Sequence, residues 1–408
     1  MSGKKNSKKA RNGKNSKKLR VFAIVCISIV ALIGSIWGIT SIVNSVKKKK
    51  ADRTVRIAFY GISEDIYPIL QDIIPKEENI ELKMDILSDG ALDLGALKQK
   101  YDMLFTWKGE VTDALQDACE DIPAKILDTM PSSLKNKKCA PIILDHFEFT
   151  YSRDVVQKTT EQIPLNYAGF LNYLEQAKKY VFTPFFCHGG DDRTLCAFVG
   201  AMIEAMGGMS AYNNLISKMR EESDFEALLD FELNNSGLSL RYVLDTLKTW
   251  PKEGLTHPSW YNGNGNDLLF FAQEDHIGVF FTTLTEHRKI PYQVISKYEA
   301  ERVPMMSSTA EFGLIAPALC GMLLSDNENA KRYLAAFFTE EAQVDLSDKT
   351  KLAPVHSRAQ AYDRQADDVR FWAASCPGGA LPDLYLAVFQ RNPAAMAEFA
   401  KSCRAYVR

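Results

Sequence analysis

Trp107 and Asp145 are the residues whose types sit most oddly in their surroundings. Trp107 ends the apolar run Tyr101–Trp107, where an indole could stack on the C–H face of a sugar ring or fill a core. Asp145 is a carboxylate inside an otherwise apolar stretch, Pro141 to Tyr151. A buried charge is costly without donors, so Asp145 requires either ligand hydroxyls or an internal salt bridge. Trp260-Tyr261-Asn262-Gly263-Asn264 places two aromatic rings beside amides, a composition suited to sugar or peptide recognition as well as to a plain surface loop. Phe281 and Thr282, in the run Phe280 to Thr283, and Tyr60 and Phe186, in further β-forming runs, complete the candidate ligand-binding set.

His188-Gly189-Gly190-Asp191-Asp192 offers an imidazole and two carboxylates, donors that suit a metal. A turn explains the same residues through glycine flexibility and helix capping by Asp192, so no metal is assigned. The chain has no P-loop, nucleophile elbow, HExxH or GxGxxG pattern, and so gives no positive evidence for an enzyme or a cofactor.

Elements must hold these residues in place. Thr54–Tyr60 alternates and is rich in β-formers, predicting a strand. Gly61 breaks it, and Ser63 could N-cap a helix running to about Ile74. Ile80–Leu87 predicts a second strand, Ala91–Lys100 a helix and Tyr101–Trp107 a third strand. This β-α-β-α-β order implies a parallel sheet covered by helices, in which ligands bind beyond the carboxyl ends of strands. Further helices are expected over Tyr167–Lys179, over Thr194–Met206 with a stop at Gly207-Gly208, and over Tyr242–Trp250 and Ala330–Phe338. Strands are expected over Tyr180–Phe186, Ile277–Thr283 and Gly313–Ala318.

Charge is divided unevenly along the 408 residues. Residues 1–50 hold 13 of the 49 Lys and Arg and no Asp or Glu, so the remainder carries a net −15. An acidic body is repelled by a phosphate backbone, so no nucleic acid is expected. Val21–Val46 is a 26-residue run without a charge, long enough to span a bilayer core of ~30 Å. Nine Lys and Arg precede it and Lys47–Lys50 follow, and the larger cluster should stay in the cytoplasm. A cleaved signal peptide lacks a good A-x-A-like site here, and Cys26 is a poor lipoprotein match. An uncleaved anchor over residues 21–46 is therefore expected, after a basic cytoplasmic tail over 1–20 and before a linker over 47–54. Of eight cysteines seven lie outside the apolar run, with no CxxC spacing. Buried thiols are the preferred reading, with disulfides open in an oxidising compartment.

From Thr54 to at least Pro354 the body resembles the extracellular solute-binding proteins of bacterial ABC importers, the class of maltose- and oligosaccharide-binding proteins. Tyr101-Asp-Met-Leu-Phe-Thr-Trp107 is similar to that family's strand ending in Asp-x-x-x-x-Trp. Ala140-Pro-Ile-Ile-Leu-Asp-His146 followed by Phe149-Thr-Tyr-Ser-Arg-Asp154 looks like its x-Pro-x-x-x-Glu crossing strand and Tyr-Asn-Lys-Asp, with Ser152 for the usual Asn. Pro164–Phe170 is similar to its Pro-x-Thr-Trp-x-x-Phe opening, with Asn166-Tyr167 for Thr-Trp. Asn327–Phe338 and Lys351-Leu-Ala-Pro-Val355 resemble its late helix and closing Pro-Val. Glu274-Asp-His-Ile-Gly-Val279 departs from its Gly-Lys-Ala-Ala-Met.

The resemblance implies an α/β, two-lobed Venus-flytrap fold of the periplasmic-binding-protein type, with crossings near Ile143, Gly313 and Pro354. Lobe one would comprise 55–143 and 314–354, and lobe two 144–313 and 355–408. It implies a monomeric body outside the cytoplasmic membrane that closes on a polar solute, a sugar or oligosaccharide, and docks on permease subunits. A tethered sensor or interaction protein without a transporter is the alternative class. An extracytoplasmic hydrolase is disfavoured by the missing motifs.

Overall fold

β1 (Thr54–Tyr60), α1 (Tyr67–Asp72), β2 (Glu81–Leu87), α2 (Leu94–Lys100), β3 (Met103–Trp107), α3 (Glu110–Leu115) and β4 (Ala140–Leu144) open the body in the expected order. The computed structural model describes residues 53–73, 80–87, 92–305 and 311–408. The expected anchor, 21–46, lies outside them. β1 and β3 pair in parallel from Ile57↔Met103 to Tyr60↔Thr106. Asp93 caps α2 by accepting from the backbone N–H groups of Gly95 and Ala96, as an N-cap carboxylate does. Ser63 is not the cap expected for α1. Its carbonyl accepts from Ile66 and Tyr67, and the helix starts at Tyr67 with Pro68 in its first turn, where a missing N–H costs nothing.

The stretch Pro141–Tyr151 is two strands, not one. β4 ends at Leu144, and β5 (Phe147–Ser152) belongs to a different sheet. Asp145 and His146 are the crossing. After β5 come α4 (Tyr167–Ala177), β6 (Thr183–Cys187), α5 (Asp192–Glu221), α6 (Leu240–Thr249), β7 (Ile277–Thr283) and β8 (Tyr298–Glu301). The chain then returns through β9 (Leu314–Ile315), β10 (Ala318–Leu323), α7 (Glu328–Ala336), α8 (Glu340–Thr350) and β11 (Ala353–Pro354), and ends with α9 (Arg364–Ser375), β12 (Ala380–Leu381) and α10 (Pro393–Val407).

Two main sheets result. One has the order β11-β4-β10-β3-β1-β2 and the other β6-β7-β5-β8, with a two-stranded ribbon β12-β9 besides. In the first, Phe59 stacks on Phe105 at 5.4 Å, and Phe105 meets Phe337 just past α7. In the second, Phe147, Phe149 and Phe281 point into a core shared with Phe170, Phe185 and Phe198. The intervening Glu148, Thr150 and Thr282 take the opposite face, because side chains alternate along a strand.

α5 is long and apolar enough to cross a membrane, but 83% of its apolar window is buried, which makes it the core helix of the second lobe. Its helix breaks at Gly208, φ 75°, a conformation a Cβ disfavours. The C-terminal segment, expected wholly in lobe two, divides between the lobes. α9 packs on β11 and the turn Ser132–Leu134 of the first lobe, whereas α10 packs on α5 and α6 of the second. Among the described residues, 55–73, 82–87, 92–305 and 311–408 cluster as one compact unit.

Candidate functional site

Trp107 and Asp145 emerge at the same end of the six-stranded sheet. Trp107 pairs with Leu319 on β10, and Leu319 pairs with Ile143 on β4. The two chain paths are thus two strand spacings apart, roughly 10 Å, and Asp145 continues just beyond. The loops are tied there, since Lys108 N–H donates to the Ala318 carbonyl and Asp145 N–H to that of Pro317, both at 2.8 Å.

The Asp145 carboxylate has internal donors. One oxygen accepts from the N–H of His146 (2.8 Å) and of Thr285 (3.1 Å), the other from the Thr285 hydroxyl (2.8 Å). Burial raises its pKa above the ordinary value, while these donors and the charge of Arg193 oppose the rise. Arg193, on the first turn of α5, pairs with the fully buried Asp383 at 2.9 Å and lies over the Tyr385 ring at 5.2 Å. The Arg193 side chain stays 42% exposed. The hinge therefore carries an acid–base–acid group that sequence reading did not single out, because residues 145, 193 and 383 are brought together only by the fold.

Beside the crossing, Glu148 is fully buried. It accepts from Gln365 of α9 and lies 2.7 Å from the Nδ1 of His287. Burial pushes its carboxyl up, but the imidazoles of His146, 3.7 Å away, and His287, within hydrogen-bond reach, outweigh burial and hold it down at about 2.

The segment Tyr385–Phe389, one turn of π-helix, runs between the lobes, and Gln390 at its end fastens it. The Gln390 amide donates to the Thr106 hydroxyl and the Trp107 carbonyl and accepts from Val111 N–H, at 3.1, 3.2 and 3.1 Å. Its own carbonyl accepts from the Tyr60 hydroxyl at 3.1 Å. Gly109 lets the backbone approach closely, since a Cβ there would lie 2.1 Å from the Leu386 carbonyl oxygen.

On the far side of this segment lies a cleft of about 760 Å³, within the range of small-molecule sites. One wall is α3, through Glu110 and Asp113. The other comes from the C-terminal end of α5 and the residues after it, through Arg220 and Phe225, and from α10, through Phe399. Arg391 reaches back to Glu110, with Nε and Nη2 at 2.8 and 2.7 Å from one carboxylate oxygen. Arg220 bonds Asp113 at 2.7 Å and the Ala387 carbonyl. Phe225, Phe399 and Phe389 form a chain of rings with 5.8 Å centroid spacings.

None of the eight residues expected at the site lines this cleft. Trp107 remains half-buried at its strand end and Tyr261 half-buried on its loop. Tyr60, Phe186, Trp260, Phe281 and Thr282 are each at most 1% exposed, so they pack and present no surface in this conformation. Phe186 leans on Phe271, and Trp260 on Phe198. Asp191, not Asp192, caps α5 by accepting from Thr194, while Asp192 pairs with Arg404. The cleft residues went unseen because Glu110, Asp113 and Arg220 look like solvated helix faces in sequence.

No family model matches the sequence, and no curated protein matches it. Solved structures do. The bacterial solute receptor AcbH, described as preferring β-D-galactopyranose exclusively, superposes with a TM-score of 0.67 at 11% identity, over 86% of this chain and 96% of that one. This is a solute-binding-protein fold. The putative binding protein MsmE of Bacillus subtilis, in an open conformation, gives 0.64 at 12% identity over 87% and 92%. Apo RafE of Streptococcus pneumoniae gives 0.62 at 12% over 87% and 96%. At such identities the solute-binding-protein fold is what is shared, and the four sequence segments singled out above lie on it in the expected order.

Proposed function

We propose that this chain is the membrane-anchored, extracytoplasmic solute-binding component of an ABC importer, and that it takes a polar solute, a sugar or oligosaccharide, between its lobes. The observation that carries the reading is the 760 Å³ cleft walled by elements of both lobes in a two-lobed fold. Its lining mixes ionised groups, amides and aromatic rings, a composition that can bind hydroxyls and C–H faces together. Binding would favour a closed form through contacts absent from the open one, and that form would dock on permease subunits that supply the transport energy. Trp107 and Asp145 lie at the hinge, outside the lining of this cleft. Residues 21–46 would hold the body outside the cytoplasmic membrane.

Thermal melting of the full chain, in a detergent without a sugar headgroup, against a panel of mono- and oligosaccharides tests this. A ligand that binds only the native state raises the midpoint by mass action, by ~2.7 kcal/mol at a hundredfold excess over Kd. The expected result is a concentration-dependent rise for at least one member. A panel without any rise, alongside hydrolysis of a glycoside or ester, would replace the transport reading with an enzymatic one.

A further inference from the structure

The two arginines of the cleft are already engaged. Arg391 gives its backbone N–H, Nε and Nη2 to the two oxygens of Glu110. Arg220 gives Nε to the Ala387 carbonyl and shares Nη2 between that carbonyl and Asp113. In both, the edge of the guanidinium formed by Nε and Nη2 is occupied, and this is one of the two edges that can take a carboxylate or phosphate as a pair of parallel bonds. Glu110 is only 17% exposed, so its pairing with Arg391 is the less solvent-screened of the two. Glu222 and Glu398 also line the cleft, whereas no lysine does. The wall therefore sets four carboxylates against two guanidiniums. Lys401 offsets Glu398 from outside the lining, at 3.0 Å, and the balance stays negative.

We propose that the cleft selects its solute by charge: it admits an uncharged or ammonium-bearing polar solute and refuses carboxylate- and phosphate-bearing ones. The inference rests on the reading that this cleft holds the solute. An anion entering it meets a net negative wall whose two guanidiniums are already paired with Glu110 and Asp113. An uncharged sugar loses nothing by the same arrangement, since carboxylates accept its hydroxyls and the Phe225–Phe399–Phe389 rings offer apolar surface. An ammonium group gains Glu222 and the ring faces, an attraction between cation and π-system that desolvation strengthens.

Both acids of α3 can be neutralised with little change of shape, which turns the proposal into a gain-of-binding experiment. Isothermal titration of the full chain, in a detergent without a sugar headgroup, would use four probes: a neutral gluco-oligosaccharide, a glucosamine oligomer, a galacturonate oligomer and glucose 6-phosphate. The wild type should bind the neutral or the glucosamine probe and neither anion. Glu110→Gln with Asp113→Asn should remove two negative charges from the wall and loosen Arg391, while Arg220 keeps its bonds to the Ala387 carbonyl. Affinity for galacturonate or the sugar phosphate should then rise at least tenfold and fall with added salt. Melting of the free variant confirms that it folds, and the single variants Glu110→Gln and Asp113→Asn repeat the test should the pair prove unstable. Wild-type binding of an anionic probe at or above the affinity of the uncharged one overturns charge selection but leaves a solute-binding protein. Wild type and folded variants that bind no probe overturn charge selection and the carbohydrate reading together.

Discussion

Glu204 shows what burial does to one residue. It lies within α5 at 4% exposure and accepts from Gly313 N–H at 2.7 Å. Burial, opposed only partly by that bond and by Arg302, pushes its carboxyl from an ordinary 4.5 up to about 8. Between these values the folded chain holds a proton that the unfolded chain has lost. Folding stability therefore falls as pH rises from about 4.5 to about 8 and is flat beyond, by an amount on the order of a few kcal/mol. Glu204→Gln keeps the acceptor and cannot ionise, so its melting temperature should decline less than the wild type's between pH 5 and pH 9. Equal declines in both proteins would show that Glu204 is not the group responsible. Gly313 lies where the chain passes back toward the first sheet, so the titration bears on the hinge as well as on the core of the second lobe.

At the scale of elements, the join between α3 and the turn Tyr385–Phe389 is a close contact between lobe one and the C-terminal segment. Gly109 makes it possible by close approach. Gly109→Ala must push the two backbones apart, because the added carbon would sit 2.1 Å from the Leu386 oxygen. Overpacking of this kind costs about 1–3 kcal/mol, and the shift should also loosen the Gln390 bonds to Thr106, Trp107 and Val111. Chemical denaturation should show a lower midpoint than the wild type. A variant as stable as the parent would mean that the turn docks on α3 less firmly than this geometry requires.

For the whole molecule, charge and hydropathy divide the chain into a basic head, an uncharged run and an acidic body. If residues 21–46 anchor the protein, the mature chain keeps its first twenty residues, fractionates with membranes until detergent is added, and exposes its body to protease on intact spheroplasts. N-terminal sequencing of the extracted protein decides the matter: a start near residue 36 or a lipid on Cys26 would mean cleavage instead. Whichever outcome holds, the net −15 of the body predicts that it does not shift DNA in a gel at physiological salt and sub-micromolar protein.

Local order along the chain was legible from sequence because it depends on near neighbours. β1 and β7 run over the expected residues, β3 and α4 start within two residues of theirs, and the stop at Gly207-Gly208 appears as the break at Gly208. The β-α-β-α-β order implied a parallel sheet, which β1 and β3 form, and the resemblance in segment order implied the two-lobed fold. What alternation cannot reveal is which face of a strand meets a second layer. Phe186, Phe281 and Trp260 looked like ligand platforms and turned out to be core, since rings at strand ends suit either role until the packing partner is known. The cleft itself was invisible for the opposite reason. Glu110, Asp113, Arg220, Arg391 and Phe399 are scattered over nearly three hundred positions, and each has a local pattern typical of a helix surface or core. Only the return of the C-terminal segment between the lobes sets them around one cavity, because the long-range contacts that close it leave no mark on the residues beside them in sequence.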